Sequence, residues 1–195
     1  MILYFAPGAC SLADHIALHE ANLTFDQVKV DLKTHTTEDG RDFTKINPKG
    51  YVPALALDGG ELLTENIAIL SWIADKAPAL APGGELGRYR LLETLAFIST
   101  EIHKSFKPFF TPGAADVDKA KAGEAITKRL NLIAGQLDGA YLFGQDASVA
   151  DAYLFVMLMW AKKNAVEIPQ PLMAFFDRMK ARPAVQLALK HEGLG

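Results

Sequence analysis

The 195 residues carry 20 Lys and Arg against 23 Asp and Glu, a formal net charge of -3, and half of the side chains are hydrophobic. No strongly basic stretch is present to neutralise phosphates, which argues against a dedicated nucleic-acid binder. The longest apolar run, Ala152 to Ala161, is about half of the ~20 residues needed to cross a bilayer, and the N-terminus shows no basic leader or cleavage site. The sequence therefore reads as a cytoplasmic protein with no membrane or nucleic-acid partner. Its single cysteine, Cys10, cannot close an internal disulfide and fits a reducing compartment.

The first third of the chain alternates strand and helix signals. Ile2 to Phe5 has the length and composition of a buried strand, and Pro7-Gly8 breaks it. Leu12, Ile16 and His19 then fall at helical spacing, predicting a helix from about Cys10 or Ser11 to Asn22. Val28, Val30 and Leu32 alternate with Lys29 and Asp31, the period of a strand with one buried face. After the turn Asn47-Pro48-Lys49-Gly50, Ala54 to Leu57 and Glu61 to Leu63 form a hairpin about Asp58-Gly59-Gly60. Thr64 is placed to cap a helix carrying Ile67, Leu70, Ile73 and Ala74 and running to about Lys76. Strand, helix, strand, hairpin and helix is the order of a thioredoxin-like lobe, whose first two parallel strands need a crossover.

Residues 77–87 hold two prolines and three glycines without periodicity and read as a linker between a lobe at 1–76 and an all-helical lobe at 88–195. In the second lobe, Leu91, Leu95, Ile98 and Ile102 make one apolar stripe, and Ile126, Leu130, Ile133 and Leu137 make another. Ser148 and Asp151 form a capping-box variant opening a helix that is apolar all round, and two shorter helices follow near Leu172–Phe176 and Val185–Leu189. The fold class is α/β followed by all-α, with the cleft between the lobes the natural ligand site.

Cys10 lies where the first strand gives way to the first helix, so it reads either as a reactive thiol at a helix N-terminus or as a small buried hydrophobe. Holding a thiol of ordinary pKa mostly ionised at neutral pH requires roughly 2.7 kcal/mol. A helix N-terminus supplies only ~0.3–1 kcal/mol. A further donor or cation is needed, and His103 and Lys104 are the best candidates. Val52-Pro53 opens the third strand; a cis bond there would turn the Val52 backbone toward a peptide-like ligand, whereas a trans bond is an ordinary strand start. Glu65 and Asn66 could grip a charged ligand end or simply cap their helix. The five histidines and the acids show no H-E-x-x-H pattern, and one cysteine excludes a zinc-thiolate cluster, so no metal is expected.

Taken together, Pro7-Gly8-Ala9-Cys10-Ser11-Leu12-Ala13, Asn47 to Leu55, Leu63-Thr64-Glu65, Glu101-Ile102-His103-Lys104 and Ser148 to Phe155 resemble the bacterial beta-class glutathione transferases over nearly the whole chain. The resemblance implies glutathione as co-substrate, a homodimer with one site per subunit, and a role in detoxification. It implies Cys10 and His103 as the catalytic pair. It places Cys10 at the glutathione sulfur, Val52 with a cis Pro53 at the cysteinyl backbone, and Glu65 and Asn66 at the γ-glutamyl end. Thr100, Glu101 and His103 would complete the site, partly from the neighbouring subunit, while Tyr51, Phe106, Phe110 and Trp160 would line the pocket for an apolar electrophile. His35 stands where relatives usually have a lysine for the glycyl carboxylate, with Lys33 a substitute, and Ala96 stands where they often have asparagine; weaker glutathione binding is expected. Three activities fit: glutathione conjugation, disulfide or peroxide reduction through a Cys10 mixed disulfide, and a non-catalytic binding module.

Overall fold

The computed structural model describes residues 1–195. A five-stranded sheet has the order β3-β2-β1-β4-β5. Its central strand, β1 (Ile2–Phe5), pairs in parallel with β2 (Asp26–Asp31) and antiparallel with β4 (Ala54–Ala56). The crossover that parallel pairing demands is α1 (Leu12–Glu20). β4 and β5 (Leu62–Thr64) form the expected hairpin, with Leu55 opposite Leu63. A two-residue strand, β3 (Thr36–Thr37), extends the other edge within a stretch that carries no hydrophobic alternation.

Alternation along β1 divides the interior. Leu3 and Phe5 join the main core with α1 and α2 (Asn66–Lys76), whereas Tyr4 and Ala6 join a smaller core with Val30, Phe43, Val52 and Ala54. Thr64 does not cap α2. It ends β5 and accepts a hydrogen bond from Lys49 Nζ at 2.9 Å, so Glu65, at φ 74°, takes the capping position.

The helical part comprises α3 (Gly87–Phe97), α4 (Lys107–Phe110), α5 (Asp116–Ala134), α6 (Val149–Lys163), α7 (Gln170–Lys180) and α8 (Pro183–His191). The stripe Leu91, Leu95, Ile98 and Ile102 is buried, but its second half lies in a π-helical segment, Ile98–His103. Such widened turns are frequent at functional sites.

The capping box at α6 is formed. Asp151 Oδ2 accepts from Ser148 N and Oγ at 2.7 and 2.6 Å, and Oδ1 accepts from Leu142 N at 2.9 Å. From Val149 to Ala161 every residue except Met159 is buried, as an all-round apolar helix requires. α1 packs against both α6 and α8 and is buried from Leu12 to Leu18, which joins the sheet lobe to the helices. No helix is long and apolar enough to cross a membrane.

Candidate active site

Cys10 is half-buried between β1 and α1, at the meeting point of two cavities. One, about 810 Å³, is mixed in character and is lined by Tyr51, Val52, Pro53, Glu65, Asn66 and His103, among others. The other, about 530 Å³, is mostly apolar and is walled by Pro7, Phe110, Met159 and Trp160. Cys10 and Val52 border both. A separate groove of about 840 Å³, between α5 and residues 164–167, contains no cysteine or histidine and lies apart from this junction.

The Gly8 turn that presents Cys10 has φ 69°, a conformation a glycine adopts without strain. Gly8 is held on both sides: its N–H donates to Glu192 Oε2 at 2.8 Å, and its carbonyl accepts from Trp160 Nε1 at 2.8 Å. The Val52–Pro53 bond is cis, as the resemblance implies, and the Cys10 thiol donates to the Val52 carbonyl at 3.7 Å.

The charge state of Cys10 departs from the reactive-thiol expectation. Burial, reinforced by the Asp14 carboxyl one turn along, pushes the thiol up to about 12. The Cys10 and Ser11 backbone N–H groups oppose this only in part. His103 does not supply the missing cation, because burial and then Lys104 lower it to about 4 and leave the ring neutral. The free Cys10 side chain is therefore a protonated thiol at neutral pH.

His103 lies at the end of the π segment with Nδ1 2.6 Å from the Tyr153 hydroxyl. Burial holds the Tyr153 phenol well above its ordinary range, so this hydroxyl keeps its proton and is able to donate it to Nδ1. In the tautomer that accepts from Tyr153, Nε2 carries the ring proton and is the donor the site can use.

Glu65 accepts from Tyr51 Oη at 2.7 Å and from Lys49 Nζ, and these partners lower its pKa, Lys49 first. Glu65 is thus a carboxylate at the mouth of α2. The Asn66 side chain turns inward, donating to the Cys10 carbonyl and to Asp14 Oδ2, both at 2.9 Å.

Several expected residues lie elsewhere. Phe106 is fully buried behind Trp160, at 5.5 Å between ring centroids, and is core rather than pocket wall. Tyr51 belongs to the mixed cavity, not the apolar one. Within one chain, Thr100 donates to the Ala96 carbonyl at 2.9 Å and Glu101 pairs with Arg129, and neither borders the junction. His35, exposed at φ 54°, contacts the Gly50 carbonyl through Nδ1 at 2.9 Å and borders neither cavity.

Residues the sequence did not single out fill these places: Ser99, one helical step before His103, in the mixed cavity, and Met159 and Lys163, either side of Trp160 on α6, in the apolar one. The structure also gathers His15, His19 and His191 beside Glu192, a cluster whose sequence signal was the four-residue spacing of the first two.

Residues 9–76 match the glutathione S-transferase N-terminal domain and residues 100–192 the glutathione S-transferase C-terminal domain. Glutathione S-transferase GstA of Escherichia coli O157:H7 is 44% identical over 200 residues, spanning the whole of both chains. A sphingomonad glutathione S-transferase solved in complex with glutathione is 49% identical with a TM-score of 0.93, and the bacterial beta class glutathione S-transferase of Sphingomonas chungbukensis is 50% identical with a TM-score of 0.91. Both likenesses extend over the full length of both chains. With likeness end to end and a thiol-bearing junction between a mixed and an apolar cavity, this chain belongs to the bacterial beta class of the glutathione S-transferases.

Proposed function

We propose that this enzyme conjugates glutathione to small apolar electrophiles, with residues 1–76 and 88–195 contributing the two halves of the site and 77–87 joining them. The observation that carries this reading is the sharing of Cys10 and Val52 by the two cavities. A tripeptide in the mixed cavity would pair its backbone with Val52 and lay its γ-glutamyl ammonium near Glu65. Its sulfur would then stand at the junction, facing an electrophile held against Phe110 and Trp160. Proximity of this kind converts a bimolecular attack into an effectively unimolecular one.

The protonated Cys10 thiol and the His103 Nε2–H act as donors to the glutathione thiolate, stabilising its charge without themselves attacking. The glutathione thiol gives up its proton to solvent, and as the thiolate attacks, a carbon–sulfur bond forms and the electrophile's leaving group departs with the bonding pair. Reduction through Cys10 has less support, because burial and Asp14 hold its thiol up and keep it protonated in the free enzyme. The active unit is proposed to be a cytoplasmic homodimer, in which Thr100 and Glu101 complete the partner's site and His35 or Lys33 faces the glycyl carboxylate.

An activated aryl halide, followed by absorbance with and without glutathione, tests the proposal. Glutathione-dependent product formation that survives Cys10→Ala within about tenfold is expected. Absence of product in the wild type, or conjugation abolished by Cys10→Ala in a folded protein, overturns it.

A further inference from the structure

Where the end of α1 meets the end of α8, His15, His19 and His191 each offer one ring nitrogen, and these nitrogens lie within 4.8 Å of one another. The ring centroids are 5.1 to 5.6 Å apart, with Phe25 against His15 and His19 and Phe5 against His15. Aromatic stacking alone would account for the packing. It does not account for the polar atoms, since Nε2 of both His15 and His19 is buried without a hydrogen-bond partner. Packed interiors rarely leave such atoms unsatisfied.

Glu192 fixes the first ring. Its fully buried Oε1 lies 2.9 Å from His15 Nδ1. With Nδ1 engaged by the carboxyl group, Nε2 is the ring atom left for a ligand. This carboxylate–histidine arrangement is the one that orients imidazoles for metal binding.

We propose that His15, His19 and His191 form a three-imidazole site for a divalent transition-metal ion of the zinc type. The donor set is all nitrogen, which suits zinc, cobalt or nickel and offers nothing to magnesium or calcium. Tetrahedral coordination at ~2.0–2.1 Å brings ligand nitrogens to roughly 3.3 Å apart, so the rings must close by an ångström or so. His191, exposed at the last residue of α8, and the half-buried His19 are free to make that adjustment. A water molecule would take the fourth position.

The ion would staple α8 to α1, and its influence has a direct route to the chemistry: the second oxygen of Glu192 accepts from the Gly8 N–H in the turn that presents Cys10. This inference stands apart from the glutathione reading, because none of the three ligands borders either cavity there.

The test uses untagged, chelator-stripped, glutathione-free protein titrated with zinc chloride alone in a calorimeter. One ion per chain is expected, together with a zinc-dependent rise in Tm. His19→Gln and His191→Gln should each weaken binding at least tenfold while circular dichroism confirms the fold. Cobalt should give a tetrahedral visible spectrum without a thiolate charge-transfer band, which separates this site from Cys10. Stoichiometry well below one, affinity unchanged in the His19→Gln, His191→Gln double variant, or a thiolate band would overturn the proposal.

Discussion

The Tyr153 hydroxyl lies 2.6 Å from Nδ1 of His103, and the sense of that hydrogen bond decides which nitrogen of the imidazole carries the proton. Tyr153→Phe keeps the ring and removes the proton donor, so both tautomers of His103 become populated. The expected result is a several-fold to tenfold fall in kcat, with KM for glutathione little changed, and a stability loss of about 1 kcal/mol. Steady-state kinetics beside urea denaturation separate the two effects.

His103 also sets an acid limit. Its pKa is about 4 in the folded chain and about 6.5 when unfolded, so between these values the unfolded state binds more protons. Its contribution is complete above pH 6.5 and disappears as pH falls toward 4, by up to roughly 3 kcal/mol. Denaturant titrations from pH 7 to 4 should show this slope, and His103→Gln should flatten it. An equal slope in the variant would remove His103 as the source.

Cys10 is the only cysteine, so alkylation reports on it alone. With the thiol at about 12, its rate of modification should rise about tenfold per pH unit from pH 7 to 10, with no plateau at the ordinary ~8.5. Mass spectrometry of iodoacetamide-treated, ligand-free protein measures this; a plateau below pH 8 would mean that the helix N-terminus wins after all.

Phe106 and Phe110 provide a contrast between core and wall. Phe106→Ala empties a fully buried site and should destabilise the protein by about 3–5 kcal/mol. Phe110 is half exposed in the apolar cavity, so Phe110→Ala should change stability by less than about 1 kcal/mol while raising KM for apolar electrophiles. Thermal denaturation and kinetics on the pair suffice.

Asp151→Ala removes the acceptor for two buried backbone N–H groups and the Ser148 hydroxyl. A loss of about 2–4 kcal/mol is expected by denaturant titration, with catalysis in the surviving folded fraction unchanged.

The course of the chain was readable where one physical signal dominated. Alternation at Val28 and Val30, the Asp58-Gly59-Gly60 turn and the Ser148–Asp151 box each reported a local necessity, and the sheet, hairpin and central helix follow them. Cys10, Val52, Glu65 and His103 do converge on one junction. What local signals could not convey was direction. Phe106 sits in a short 3-10 turn after the π segment, where ordinary helical periodicity no longer tells which face a ring occupies. Asn66 lines the mixed cavity at its helix start, while its side-chain amide is drawn inward by the buried Asp14. Cys10 was read from the helix end that favours an anion, while the desolvation that outweighs it depends on tertiary packing. The histidine cluster needed α8 to return beside α1, an event no window of sequence contains.

The burial of α1 on all sides has a consequence for biosynthesis. Leu12 to Leu18 leave the ribosome before α8, one of the partners that cover them, has been made. During translation this helix therefore waits without its full cover, in the state where nascent chains are prone to aggregate or recruit chaperones. Truncation after α6 would leave that surface open permanently, so a shortened chain should be recovered mainly as insoluble material.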